Sequence, residues 1–279
     1  MVNLLDKETA AFIESQWGRE FIREKFPVTD KQFNEIVRRA FQDICMGHNR
    51  AQKPFCWRLV GQSGAGKTTQ LLPALQHVLK EFNRDAVHLG VRLFANYHPY
   101  AQQIREFGGL ENFRENTNAF ALKLLTCVLI QLIKCHYSVL FEVTLLDPVY
   151  ETCIHQFLSQ EGYFCDYHGL SVPLEASEAW LERRRVLENR VVSDRSIHFF
   201  FETLNPALKA LQVANIPNRF FIWDRYHREP LILKIQDPSL IQIYETSRNQ
   251  NLPLLSEKDL QDSKIRYLSD FYKNNSWVG

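Results

Sequence analysis

Gly61-Gln62-Ser63-Gly64-Ala65-Gly66-Lys67-Thr68-Thr69 decides how this chain is read. Its first eight residues fit G-x-x-x-x-G-K-[ST], a pattern that carries weight only between a strand and a helix. Both flanks are in place. Upstream, Phe55-Cys-Trp-Arg-Leu-Val60 is short and largely apolar, as suits a buried strand. Downstream, Leu71, Leu75, Val78 and Phe82 recur at helical spacing, which predicts a helix from near Lys67. A helix N-terminus offers unpaired amide groups and the positive end of its dipole to an anion. Gly61, Gly64 and Gly66 let the backbone curl closely around phosphates. Lys67 can neutralise β- and γ-phosphate oxygens, and the Thr68 hydroxyl can enter a Mg²⁺ shell. Gly61 to Thr69 is therefore expected to hold ATP or GTP with Mg²⁺. The chain has no N-K-x-D guanine-reading motif, which argues against GTPase switching.

The bulk composition narrows the setting. With 279 residues, the chain is within reach of one large α/β unit. A 45% hydrophobic share and 13% aromatic residues can fill a core. The formal net charge of +1 leaves no electrostatic footprint for nucleic acid or a membrane surface, so neither is an expected partner. Cys45, Cys56, Cys127, Cys135, Cys153 and Cys165 form no C-x-x-C pair and read as buried, reduced thiols. Asp6, Lys7 and Glu8 stand where a secretion signal needs an apolar core, so a cytoplasmic protein is expected. The apolar run Phe120–Ile133 is too short to span a bilayer and holds Lys123 and Gln131, so it reads as a core helix. There is no internal repeat or low-complexity segment.

Taken in order, residues 7–46 read as two helices, the second opened by a capping box at Thr29 and Gln32 and ended by Gly47. Pro73 cannot donate to the Thr69 carbonyl, so a kink is expected in the helix after the loop. A strand is predicted over Val87–Phe94, then a polar stretch without periodicity (Asn96–Asn116), then a helix from Ala119 to Lys134 capped by Asn118. Further strands are predicted over Tyr137–Leu146, Tyr163–Val172, Phe220–Trp223 and Leu231–Ile235. Helices are predicted over Pro148–Gln160, Glu175–Asn189 and Ser196–Leu211, with a short polar one opening at Ser256. The alternation implies an α/β fold: a three-layer α/β/α, P-loop kinase-like domain with a largely parallel sheet and extra N-terminal helices. One domain is expected, with N-terminal helices over 1–50, a nucleotide-binding core over 51–236 and a helical segment over 237–279. Ligands of such sheets lie beyond the carboxyl ends of the strands, so Gly61, Arg92, Glu142 and Thr144 should meet in one cleft.

Glu142 and Thr144 fall on one face of their strand, and a carboxylate at a buried strand end is costly unless it binds something. Three readings stay open for Glu142: a substrate ligand, a contributor to the Mg²⁺ shell, or a partner for a nearby arginine. Arg183, Arg184, Arg185 and Arg190 form a basic cluster followed by Arg195. Guanidinium groups commonly clamp a moving phosphoryl group, although such a run also suits a solvated face.

Thr29-Asp-Lys-Gln-Phe-Asn-Glu-Ile36, the Gly61–Thr68 loop and Tyr97-His98-Pro99 together resemble the zeta-toxin kinases. So do Leu140-Phe-Glu142-Val-Thr144-Leu beside the family's E-G-T segment, Gly162-Tyr163, Ser171-Val-Pro173, Ser177, and the late pair Asp224-Arg225. The resemblance spans roughly residues 28–230 and lies in the order of these phrases. It implies a kinase that moves the ATP γ-phosphate to a sugar hydroxyl of UDP-N-acetylglucosamine or a related metabolite, with an antitoxin as a possible protein partner. By that resemblance Gly61–Thr69 bind ATP, Thr68 binds Mg²⁺, Lys67, Arg184 and Arg195 serve the transfer, and Arg92, Glu142 and Thr144 hold the acceptor. Two positions depart from the family. Val143 replaces a glycine, and Arg92 stands where the family has a catalytic aspartate. Weak transfer to UDP-N-acetylglucosamine is therefore expected, unless His98 or Glu106 takes the acceptor proton in its place.

Overall fold

The computed structural model describes residues 20–144, 147–188, 204–213, 218–224, 229–248 and 256–275, with residues 202 and 227. Two helices lead in, α1 (Glu20–Lys25) and α2 (Asp30–Cys45). Thr29 caps α2 through the reciprocal box with Gln32, and Gly47 leaves it at a φ of +81°. Strand β1 (Phe55–Val60) runs into the glycine loop, a π-helical turn (Lys67–Leu71) and α3 (Leu72–Glu81). There follow β2 (Val87–Gly90), the one-turn α4 (Val91–Phe94), a 3₁₀ turn (Ala95–Tyr97) and α5 (Ala101–Lys134). The chain continues through β3 (Val139–Glu142), α6 (Pro148–Gln160), β4 (Phe164–Leu170) and α7 (Leu174–Glu188). Last come α8 (Leu204–Val213), β5 (Arg219–Trp223), β6 (Leu231–Lys234), α9 (Leu240–Arg248) and α10 (Glu257–Asn274).

The sheet order is β2-β3-β1-β4-β5-β6, with β2 to β5 and β1 parallel and β6 antiparallel at one edge. Alternation along β1 divides the core. Phe55, Trp57 and Leu59 face α3 and α10, whose Leu75, Val78, Leu268 and Tyr272 close one layer. Cys56 and Val60 face the other layer, where α2, α5, α6, α8 and α9 contribute Val37, Leu125, Ile154, Leu208 and Tyr244. The predicted α/β architecture with helices on both faces is the architecture found.

Several local expectations are corrected. The strand predicted over Val87–Phe94 stops at Gly90 and turns into α4, so Arg92 sits on a helical turn rather than a strand. The stretch expected to be irregular before Ala119 is helical, and α5 runs from Ala101 through a break at Gly109 (φ +71°). Its first part lies at the surface, so it lacks the apolar periodicity that marks a buried helix. Asn118 is thus mid-helix and caps nothing. Pro73 falls in the first α-helical turn of α3, after a π turn in which Gln70 and Leu71 both donate to the Gly66 carbonyl. The helix opened by Ser256 is long, not short, and buries Leu260, Leu268 and Tyr272. Helix α9 falls within the helical segment expected over 237–279. Within α5, Glu115–Lys134 is long and apolar enough to cross a membrane by length and composition, which Phe120–Ile133 alone is not; two-thirds of that window is buried inside the fold.

Candidate active site

The carboxyl ends of β1, β2 and β3 open on a cavity of about 270 Å³. One wall is the glycine loop. Gly61, Gly64 and Gly66 have φ values of +145°, +82° and +99°, so the loop needs residues without a side chain there. Gly64 has a second reason: an added Cβ would lie 2.6 Å from the Ser177 carbonyl on α7. Gln62 ties the loop to the same region, its amide donating to the Val172 carbonyl (2.6 Å) and the Ser177 hydroxyl (3.0 Å). Lys67 is buried, and its ammonium donates to the carbonyls of Gly61 and Gln62 within the loop itself. Loop, ammonium and the neighbouring Thr68 hydroxyl form a donor set that fits a triphosphate with Mg²⁺.

The opposite wall comes from β2, β3, α4, α5 and α6. Glu142 ends β3 beside Leu59 of β1 and Gly90 of β2, which brings its carboxylate to the loop. Oε1 accepts the Thr68 hydroxyl at 2.6 Å, and Oε2 lies 3.4 Å from Nε2 of His88. Burial alone would raise the Glu142 pKa; His88, Lys67 and Thr68 together outweigh it and hold the group at about 2. Thr144, Arg92, Val143, Asn118, Tyr150, Glu151 and Trp180 are also among the lining residues. Val143 lines the cavity and packs into the core, and its amide continues the β1 ladder by donating to the Leu59 carbonyl at 2.9 Å.

Beneath this wall lies a buried ion pair. Arg58, fully buried on β1, bonds Glu151 in the first turn of α6 and donates to the Tyr167 hydroxyl at 3.1 Å. Burial would strip the Arg58 charge, but Glu151 beside it keeps the guanidinium charged. Tyr167 meets His155 Nδ1 at 2.6 Å, and Asn218 meets His155 Nε2 at 2.8 Å, which extends the buried network from Glu151 to Asn218, with Arg58 Nε left without a hydrogen bond among the described residues.

The residues expected to meet therefore do so: Gly61's loop, Arg92, Glu142 and Thr144 surround one cavity. Arg195 and Arg225 lie outside the described residues, as does the side chain of Arg184. Arg183 places its guanidinium 5.4 Å over the ring of Trp180, at the cavity's edge. Asp224 accepts from the His227 backbone at 2.7 Å and contacts its ring at 2.6 Å. Neither substitute base reaches the cavity lining. His98 is buried against Phe120, its Nδ1 takes the Tyr100 amide at 3.2 Å, and burial lowers its pKa to about 4. Glu106 accepts from Gln102 on the exposed face of α5. Sequence reasoning missed His88, Asn118, Glu151 and Trp180. Only His88 carried a signal, being two residues before Gly90 and so on the face that Glu142 shares.

The chain aligns with toxin PezT of Streptococcus pneumoniae serotype 4 (strain ATCC BAA-334 / TIGR4) at 29% identity over 135 residues. The alignment takes in 48% of this chain and about half, 51%, of PezT. A solved structure from the PezAT chromosomal toxin–antitoxin system of Streptococcus pneumoniae superposes with a TM-score of 0.66 at 21% identity, over 88% of this chain and 98% of that one. The AvrRxo1-ORF1:-ORF2 structure with ATP gives 0.50 at 12% identity, over 98% and 92%. The family model for zeta toxins matches residues 38–234, well over half of the chain. The chain therefore belongs to the zeta toxin family.

Proposed function

We propose that the chain is an ATP-dependent kinase that transfers the γ-phosphoryl group to a hydroxyl of a small molecule. The observation that carries this reading is the shared cavity, in which the Gly61–Thr69 loop faces Glu142, Thr144 and Arg92. ATP would supply the phosphoryl group, and Thr68 would hold a Mg²⁺ ion whose charge would offset that on the phosphate oxygens. The ammonium of Lys67 exchanges the Gly61 and Gln62 carbonyls for phosphate oxygens, so the cation is stored beside its site. Glu142 and Thr144 orient the acceptor, and Arg92 holds its charged portion. Family membership supports UDP-N-acetylglucosamine or a related sugar nucleotide as the acceptor class, with Arg184 and Arg195 as phosphoryl clamps. The toxin–antitoxin origin of the PezAT structure supports a protein antitoxin as partner.

The test is incubation with ATP, Mg²⁺ and a metabolite extract, followed by mass spectrometry for products one phosphate heavier. A product should form with the natural protein and not with Lys67→Ala, whose ATP affinity by calorimetry should fall about 100-fold with the fold intact. Equal ATP affinities would overturn the nucleotide site. Arg92 favours a second reading, a nucleotide-binding protein without transfer; its signature is tight ATP binding with no phosphorylated product.

A further inference from the structure

The cavity crosses the carboxyl ends of the strands. At one end the glycine loop leads towards α3, and Thr68 meets Glu142; the other end lies against α5 and α6. Asn118, Leu122 and Leu125 stand four and three residues apart and share one stripe of α5. Phe141 and Val143, alternating with Glu142, turn to the opposite face of the sheet, where they join both leucines and Tyr150 of α6. These five apolar residues line the cavity and are buried, which makes that end a narrow slot. Polar groups beside it are engaged. The Tyr150 hydroxyl meets that of Thr126 at 3.0 Å, and Thr126 donates to the Leu122 carbonyl at 2.8 Å. Glu151 holds Arg58. Among the described residues lining the cavity, the cations are Lys67 and Arg92, and Lys67 serves the nucleotide.

A diphosphate placed in this slot would face hydrocarbon, with Arg92 as the described cation against two negative charges, and losing its hydration there is costly. A flat ring gains from the same walls. It trades water for carbon contacts and meets the rings of Phe141 and Tyr150. We propose that the slot is the acceptor subsite, and that the acceptor is a hydroxyl compound built on an aromatic ring and carrying at most one anionic group. This class differs from the sugar nucleotides. The ring packs against Leu122 and Val143, and half-buried Asn118, one turn before Leu122, bonds a polar substituent at the rim. The hydroxyl then points back past Glu142 to the phosphate loop.

This deepens the kinase reading and rests on it, and the experiment separates the two. A metabolite extract is split on an anion exchanger into an early fraction of uncharged and singly charged compounds and a late fraction that holds the sugar nucleotides. Each is incubated with the natural protein, ATP and Mg²⁺. The product one phosphate heavier should arise chiefly from the early fraction. Product chiefly from the late fraction overturns the slot's assignment and leaves the kinase standing. Product from neither overturns the kinase reading, and the ring site is then judged by binding alone. Binding is read by calorimetry with 2-naphthylmethanol, in the presence of Mg²⁺ and a non-hydrolysable ATP analogue. Val143→Thr, which exchanges a methyl group for a hydroxyl, should weaken it about tenfold. Asn118→Leu, which lengthens the apolar stripe by one turn, should strengthen it about threefold. Opposite signs in two variants whose ATP affinity stays within about twofold do not come from a general loss of structure. No binding by the natural protein, or equal affinity in all three proteins, overturns the ring site.

Discussion

The two walls of the cavity are built by different means. The glycine loop is shaped chiefly by its main chain, through positive φ angles and the Gly61 and Gln62 carbonyls that Lys67 grips, with one neutral side-chain tether from Gln62. The opposite wall is held by side-chain charges from distant strands and helices, Glu142 with Thr68 and His88, and Arg58 with Glu151. A main-chain wall keeps its shape when a side chain is cut back. A wall of buried ions does not, because each removal leaves an uncompensated partner.

Three measurements would break or sharpen that contrast. The largest effect should come from Glu151→Ala, which strands the fully buried Arg58; urea denaturation should give a loss of about 3–5 kcal/mol. A loss below about 1 kcal/mol would mean that the far wall is no more fragile than the loop. Next is acid sensitivity. The Glu142 pKa falls from 4.5 to about 2 on folding, so its contribution is complete above pH 4.5 and disappears as pH falls towards 2. Ligand-free protein should lose about 3 kcal/mol through this group across that window, and Glu142→Gln should flatten the fall. Identical acid limbs would remove Glu142 from the charge wall. The smallest stability effect belongs to exposed Arg92. Arg92→Ala should shift stability by about 0.5 kcal/mol or less, while Arg92→Asp should raise transfer to UDP-N-acetylglucosamine about tenfold by adding a proton acceptor. Unchanged turnover in Arg92→Asp would mark position 92 as irrelevant to proton removal.

The same contrast explains what could be read from the amino-acid order. The loop is local, its glycines, lysine and threonine spelling their roles within nine residues, and β1, α6 and the Thr29 cap follow equally local rules. The far wall joins residues 74 and 93 positions apart, Thr68 to Glu142 and Arg58 to Glu151, and no short pattern encodes such pairs. Arg58 read simply as one polar residue in an apolar strand. Helix α5 was hidden for a related reason: its N-terminal part meets solvent, so its helical period is not written in apolar residues. Position 88 was legible in principle, but a strand extended to Phe94 drew the eye to Arg92 instead of to the face shared with Glu142.

Helix α10 reaches the back of the nucleotide strand. Tyr272 stacks on Trp57 with ring centroids 4.7 Å apart, and its hydroxyl donates to Asp166 at 2.6 Å, where Arg219 grips the same carboxylate. Trp57 lies four residues before Gly61, on the sheet face covered by α3 and α10. Its fluorescence is therefore a gauge of whether α10 is seated: peeling the helix away would wet the indole and shift its emission to the red. Trimming the chain at residue 236 to isolate the nucleotide core would uncover that ring and expose the underside of the strand that feeds the phosphate loop.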